Sequence, residues 1–231
     1  MIIPILITLT VLFLCYWFLS TSSSGYMIVD EIKDGKLDKV YQNPLPKSVN
    51  RPAGIEFSYT GWLRIDDFAY NYGKPRIIFV KGSPDLSTAC PALVIDSNTN
   101  TLLVKIDTFG TQETIPVVSV PSKKWLHLAI NVNQEAVDIY INGILYAHHI
   151  LGQLPKQNSG SVLNSPGGGF DGRIVRLEYH PQVLSESQVM QRAREQPPTG
   201  SEKDQVFPPY FDAGWFSQYW HAEAPVPEKL V

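Results

Sequence analysis

Several side chains in this sequence are of types that do chemistry, and their spacing decides whether they can act together. Glycoside hydrolysis needs two carboxylates facing one sugar. On a strand that means acids two or four residues apart. Glu135 and Asp138 are three apart and point to opposite faces, Asp66 and Asp67 are adjacent and also diverge, and no Glu-x-Asp-x-Glu run occurs. Calcium needs several oxygen ligands converging from loops. Asp96, Asn98, Asn100 and Asp171 are the donors on offer, and in turns such side chains ordinarily cap their own backbone. His148-His149 suggests zinc, but neighbours on a strand face opposite ways and no Cys lies near. His127 is expected as a lone histidine on an exposed strand face. Cys90, followed by Pro91, has no His or Asp arrangement to activate it. Gly167-Gly168-Gly169 leads into a strand, whereas phosphate cradles open a helix. The expectation is a chain with no catalytic residue, metal ligand or cofactor.

The elements that would position these groups are strands. In Leu126–Val132 the even positions are apolar, and in Val137–Ile141 the odd ones are, so one face meets a core and the other meets solvent or a second layer. Asn142-Gly143 separates Ile139-Tyr140-Ile141 from Ile144-Leu145-Tyr146, a strong hairpin signal because both turn positions need positive φ. Glu56–Ile65, Arg76–Lys81, Ala92–Asp96, Leu102–Asp107 and Thr114–Val120 have strand character, with Gly82–Asp85 and Asp96–Asn100 as turns between them. This pattern predicts an antiparallel β-sandwich. One short C-terminal helix is expected after Ser185, with Gln188 completing a capping box, Arg192 and Arg194 suiting the last turn, and Pro197 ending it.

Composition narrows the class. Of 231 residues, 44% are apolar, enough for a core, while 19 Lys and Arg against 22 Asp and Glu give a net charge of -3. The longest basic run is Lys123-Lys124, so the cationic stripe of a nucleic-acid binder is missing and no nucleic-acid partner is expected.

The two ends differ from the middle. Residues 2–19 carry no charge, and as a helix would span about 27 Å, enough for a hydrocarbon layer. Tyr16 and Trp17 fall where interfacial rings belong. A secretory signal would have a basic start and a shorter apolar run, so an N-terminal transmembrane helix is expected, with cleavage within Ser20–Gly25 as the alternative. Lys33, Lys36 and Lys39 follow the span and none precedes it, which tilts the C-terminal part toward the cytoplasmic side. The absence of an Asn-x-Ser/Thr acceptor agrees. From Gln196 onward, six prolines forbid a long helix, yet Phe207, Tyr210, Phe211, Trp215, Phe216, Tyr219 and Trp220 fall within 14 residues. Two readings stand: the segment wraps back on its own domain, or it is an arm that binds a partner through these rings. The expected division is 1–20 anchor, 21–50 stalk, 51–195 sandwich, and 196–231 arm.

Three blocks carry a family resemblance: Phe57–Arg64 with Trp62; Trp125–Ile130 leading to Asp138–Gly143; and Phe170–Ile174 through Tyr179 to Leu184-Ser185. In this order they resemble the concanavalin A-like jelly rolls, in particular the laminin G-like, pentraxin-like group, across roughly 51–194. Trp62 and Trp125 are expected to fill the space between two sheets. The family's acidic position after Gly-x-Ile is Val175 here, which weakens a calcium site. The resemblance implies a fold that hosts lectins, enzymes and scaffolds; with no paired carboxylates, a non-enzymatic, membrane-anchored interaction protein is expected. Its partners would be a lipid bilayer through residues 2–19 and neighbouring proteins through the arm. Single-span sandwiches of this kind look like minor capsid proteins of large DNA viruses, linking an inner virion membrane to the capsid. A membrane-displayed, lectin-like module with a glycan ligand is the alternative.

Overall fold

A computed structural model describes residues 25–195, together with Thr10, Phe13 and Pro197. The apolar segment 2–19 and the aromatic segment 207–220 lie outside the described residues, apart from Thr10 and Phe13. Among the described residues no helix is long and apolar enough to cross a membrane.

Two antiparallel sheets face each other. The strands are β1 (Tyr26–Val29), β2 (Lys33–Asp34), β3 (Lys39–Tyr41), β4 (Val49–Arg51), β5 (Gly54–Asp67), β6 (Arg76–Gly82), β7 (Ala89–Ile95), β8 (Leu102–Ile106), β9 (Glu113–Val117), β10 (Trp125–Asn133), β11 (Ala136–Ile141), β12 (Ile144–Ile150), β13 (Val162–Asn164) and β14 (Asp171–His180). The larger sheet has eight strands in the order β1-β14-β5-β10-β11-β12, with β2 added on β14 and β4 on β5. The smaller has six, in the order β3-β13-β6-β7-β8-β9. Among the described residues β12 and β9 are therefore free sheet edges.

The expected sandwich and its strands are present, and so is the short C-terminal helix α1, Glu186–Arg194. Its capping box forms as the sequence predicts: Gln188 N donates to Ser185 Oγ at 3.3 Å, and Ser185 N donates to Gln188 Oε1 at 2.9 Å. The Asn142–Gly143 turn has φ of 50° and 85°, the left-handed pair such a hairpin requires.

The expected stalk is different. Residues 26–51 supply β1 to β4, which pair with β14, β13 and β5 and so belong to both sheets. These strands are two to four residues long, too short to show an apolar period. β1, β2 and β3 are held by ladder partners far along the chain, while β4 forms a tight hairpin with β5.

Alternation assigns the core. Phe57, Tyr59, Leu63 and Ile65 of β5 face inward with Leu126, Leu128, Ile130 and Val132 of β10. Tyr59 stacks on Phe79 of the opposite sheet with centroids 5.6 Å apart. By the same period Trp62 and Trp125 must face outward, and they do. They form a separate cluster with Val175 and Ile32 on the outer face of the larger sheet. The expectation that they fill the inter-sheet space is corrected by register alone, because each is one residue out of phase with the core set. At Arg176, φ of 51° marks an irregularity between Val175 and Glu178. It lets Val175 and Glu178, three residues apart, share the outer face, while Ile174 and Leu177 both stay in the core.

Candidate functional site

α1 packs on part of the outer face of the larger sheet, where a small apolar contact is ringed by polar residues. Leu184 and Val189 pack on Ala129 and Tyr140. Around them lie His127, Asn131, Thr60, Ser58 and His180, all buried. His127 corrects the expectation of an exposed histidine: it is 1% exposed. Its Nε2 lies 2.8 Å from Thr60 Oγ1, and its ring meets Trp62 edge-on at 5.2 Å. Burial pushes its pKa down to about 4, with Arg192 adding to the shift and Glu178 opposing it. Asn131 Nδ2 donates to Leu184 O at 2.8 Å, and Leu184 N donates to Ser58 Oγ at 3.0 Å. Glu178 receives His180 Nε2 at 3.1 Å and Arg192 Nε at 3.4 Å. Burial raises its pKa, but these two partners outweigh that and the net shift is downward. Only about 10 Å³ is open between these groups. That is the space of one water, so the cluster is a joint for the helix and has no room for a ligand.

The other chemical candidates are turn and surface chemistry. Asp96 Oδ2 accepts from Thr99 Oγ1 at 2.8 Å, Thr99 N at 3.0 Å and Asn98 N at 3.2 Å. These bonds, the Thr99 hydroxyl first, lower its pKa. Asn100 Nδ2 donates to Val120 O, and Asp171 pairs with Lys36 at 3.0 Å. The two carboxylates are thus engaged at separate places, Asp96 within its own turn and Asp171 with Lys36. His148 Nδ1 lies 2.5 Å from Asp138, and His149 Nε2 lies 2.8 Å from Glu113, so the pair diverges. Asp66 is held by Arg64 at 2.7 Å, while Asp67 receives Ala69 N at 2.7 Å. Among the described residues no group of three His, Cys, Asp or Glu side chains converges as a metal site. Cys90 is buried and its thiol is pushed up to about 12, chiefly by desolvation, which keeps it protonated and unreactive.

Among the described residues two open concavities stand out. The first is an apolar groove of about 310 Å³ at the Asn142–Gly143 end of the sandwich. Residues 117–121, between β9 and β10, form one wall, and Ile141, Asn142, Ile144, Leu145 and Tyr146 of the β11–β12 hairpin form the other, with Leu126 at the floor. Val118 N donates to Tyr146 Oη at 3.1 Å, joining the walls. Around the mouth Val118 is 54% exposed, Leu145 46%, Tyr146 44% and Ile144 43%. Contiguous exposed apolar residues on a free edge strand are costly to leave uncovered and characterise interaction surfaces. The sequence showed Ile144-Leu145-Tyr146 only as a hairpin strand. Three apolar residues in succession break the expected alternation, and that was the available signal.

The second concavity, about 460 Å³, is polar. It lies between residues 42–47 and 157–162, with Gln42, Asn43, Lys47, Lys81, Gln157 and Asn158 on its walls. Gln157 Oε1 accepts from Ser48 Oγ at 2.9 Å, Asn158 Nδ2 donates to Lys81 O at 2.8 Å, and Lys81 Nζ donates to Gly160 O. Burial lowers the Lys81 pKa. The aromatic residues expected to bind a partner, Phe207, Tyr210, Phe211, Trp215, Phe216, Tyr219 and Trp220, lie outside the described residues.

A laminin G-like family model, described as Concanavalin A-like lectin/glucanases superfamily, matches residues 41–190. No curated protein matches the chain. Among solved structures it is similar to the receptor binding domain of botulinum neurotoxin D. That pair has 12% identity and a TM-score of 0.55, covering 74% of this chain and 52% of that one. It is also similar to the botulinum neurotoxin serotype D ligand binding domain in complex with N-acetylneuraminic acid (15%, TM-score 0.53, 76% and 47%). A third is the binding domain of Paraclostridial Mosquitocidal Protein 1 (16%, TM-score 0.52, 73% and 46%). The chain spans about half the length of these structures, and at such identities the likeness is one of fold.

Proposed function

The chain belongs to the concanavalin A-like lectin/glucanase superfamily, and from that premise we propose that it is a non-enzymatic binding module, held at a bilayer by residues 2–19, that joins neighbouring proteins. One observation carries the proposal: the apolar groove and its exposed rim at the free β12 edge, where a soluble surface would ordinarily be polar. The uncharged run 2–19 supports the tether, since it matches the thickness of a hydrocarbon layer. In this reading the protein sits between a virion inner membrane and the capsid shell. The test is quantitative cross-linking of the intact assembly, comparing the full chain with Leu145→Asp. Loss of cross-links from the β12 edge to a neighbouring protein, with thermal unfolding unchanged, supports the reading. Undiminished cross-links overturn it.

The polar cavity favours a second reading, a lectin-like site. Its amide and ammonium groups are suited to hydroxyls and a carboxylate, and one similar structure is titled as a complex with N-acetylneuraminic acid. Titration calorimetry with that sugar should give binding that Gln157→Ala weakens. Heats indistinguishable from dilution would remove this alternative.

A further inference from the structure

We infer that the apolar groove is the seat of the chain's own aromatic segment, residues 207–220, folded back onto the domain from which it leaves. The inference rests on the groove being a binding surface, and names its ligand.

The exit point of the chain comes first. The last turn of α1 lies against the hairpin turn that borders the groove. A Cβ built on Gly143 would stand 3.1 Å from both Ala193 Cβ and Met190 Cα. Neighbouring Asn142 and Ile144 line the groove. The helix therefore delivers the chain to the groove's end of the sandwich. Pro197, just past the helix, is buried, so the chain is still against the body of the protein there. Twelve residue steps from Glu195 to Phe207 reach roughly 40 Å when extended, ample to round one hairpin turn.

Chemical fit comes second. The eleven residues lining the groove include no charged side chain. Segment 207–220, FPPYFDAGWFSQYW, has seven aromatic rings and one charge, Asp212. A Pro-Pro pair such as Pro208-Pro209 loses little conformational entropy on binding. A volume of about 310 Å³ is at the small end of ligand cavities. It takes a few of the seven rings and leaves the others facing outward, available to a neighbouring protein. Tethering supplies the third argument: a segment joined by so short a linker is present at millimolar effective concentration, which a separate partner or a second copy must exceed.

The test uses the full chain in lipid nanodiscs, with the photo-cross-linker benzoylphenylalanine in place of Trp215 or Phe211. After irradiation, cross-links within one chain to residues 117–121 or 141–146 are expected. Cross-links to other parts of the domain, to a second copy or only to lipid overturn the inference. A second measurement covers misfolding of the labelled chains. In hydrogen exchange, changing Phe211, Trp215, Phe216 and Trp220 to Ser should speed amide exchange at 117–121 and 142–146 at least tenfold and leave β5 and β10 unchanged. Equal exchange at the groove overturns the inference. The assembly test with Leu145→Asp is separate: if it succeeds while the cross-links map elsewhere, the groove remains a binding surface and only its ligand is wrong.

Discussion

The ground beneath α1 and the ground beyond its last turn are opposite kinds of surface. Beneath it, polar groups such as His127, Asn131 and Ser58 are sealed from water. Beyond its last turn, Val118, Ile144, Leu145 and Tyr146 are open to it. The usual distribution is reversed in both places. The lesson is that chemical type does not mark the functional surface here. Beneath the helix His127 bonds Thr60, Asn131 and Ser58 bond the Leu184 backbone, and Arg192 of the helix reaches Glu178, so these groups fix its placement, whereas the apolar groove has no cover among the described residues and is free to bind.

If that contrast is right, substitutions should separate stability from assembly. The largest effect should come from Trp125→Ala, which empties the sealed side. A loss of about 3–5 kcal/mol in denaturant unfolding is expected for so large a buried ring. A loss under 1 kcal/mol would show that the outer cluster is loosely packed. Next is pH. The folded pKa of His127 is lowered to about 4 from 6.5, so the folded state favours the neutral ring. Stability from this site is complete above pH 6.5 and is lost as pH falls toward 4, by on the order of 3 kcal/mol. His127→Gln should flatten that part of the stability curve. Parallel curves for the two proteins would mean that the ring titrates normally.

Smaller still is Ser185→Ala, which removes the cap of α1 and should cost about 1 kcal/mol, read as faster amide exchange in 186–194 with the sheets unchanged. The smallest stability effect is expected for Leu145→Ser. On the exposed rim it should stay within about 0.5 kcal/mol of the parent while weakening assembly. A large drop in unfolding temperature would place Leu145 in the core and dissolve the contrast.

Much of this was written in local pattern. The period of two along Leu126–Val132 and Val137–Ile141, the Asn142-Gly143 turn and the Ser185 capping box each depend on near neighbours, and each formed as its residues dictate. The same period, carried along β5, already places Trp62 with Ser58 and Thr60, away from Tyr59 and Leu63. The expectation of an inter-sheet Trp came from residue size and overlooked phase. β1 to β4 could not be read, because their short segments have no period and are held by β14, β13 and β5.

The sequence alone determined the layers, because alternation and turn chemistry are encoded within a few residues. Tertiary structure decided which outward residues are wet. His127 and Leu145 both lie on strands of the larger sheet, and only the path of α1, which covers one and stops short of the other, buries the imidazole and leaves the leucine exposed.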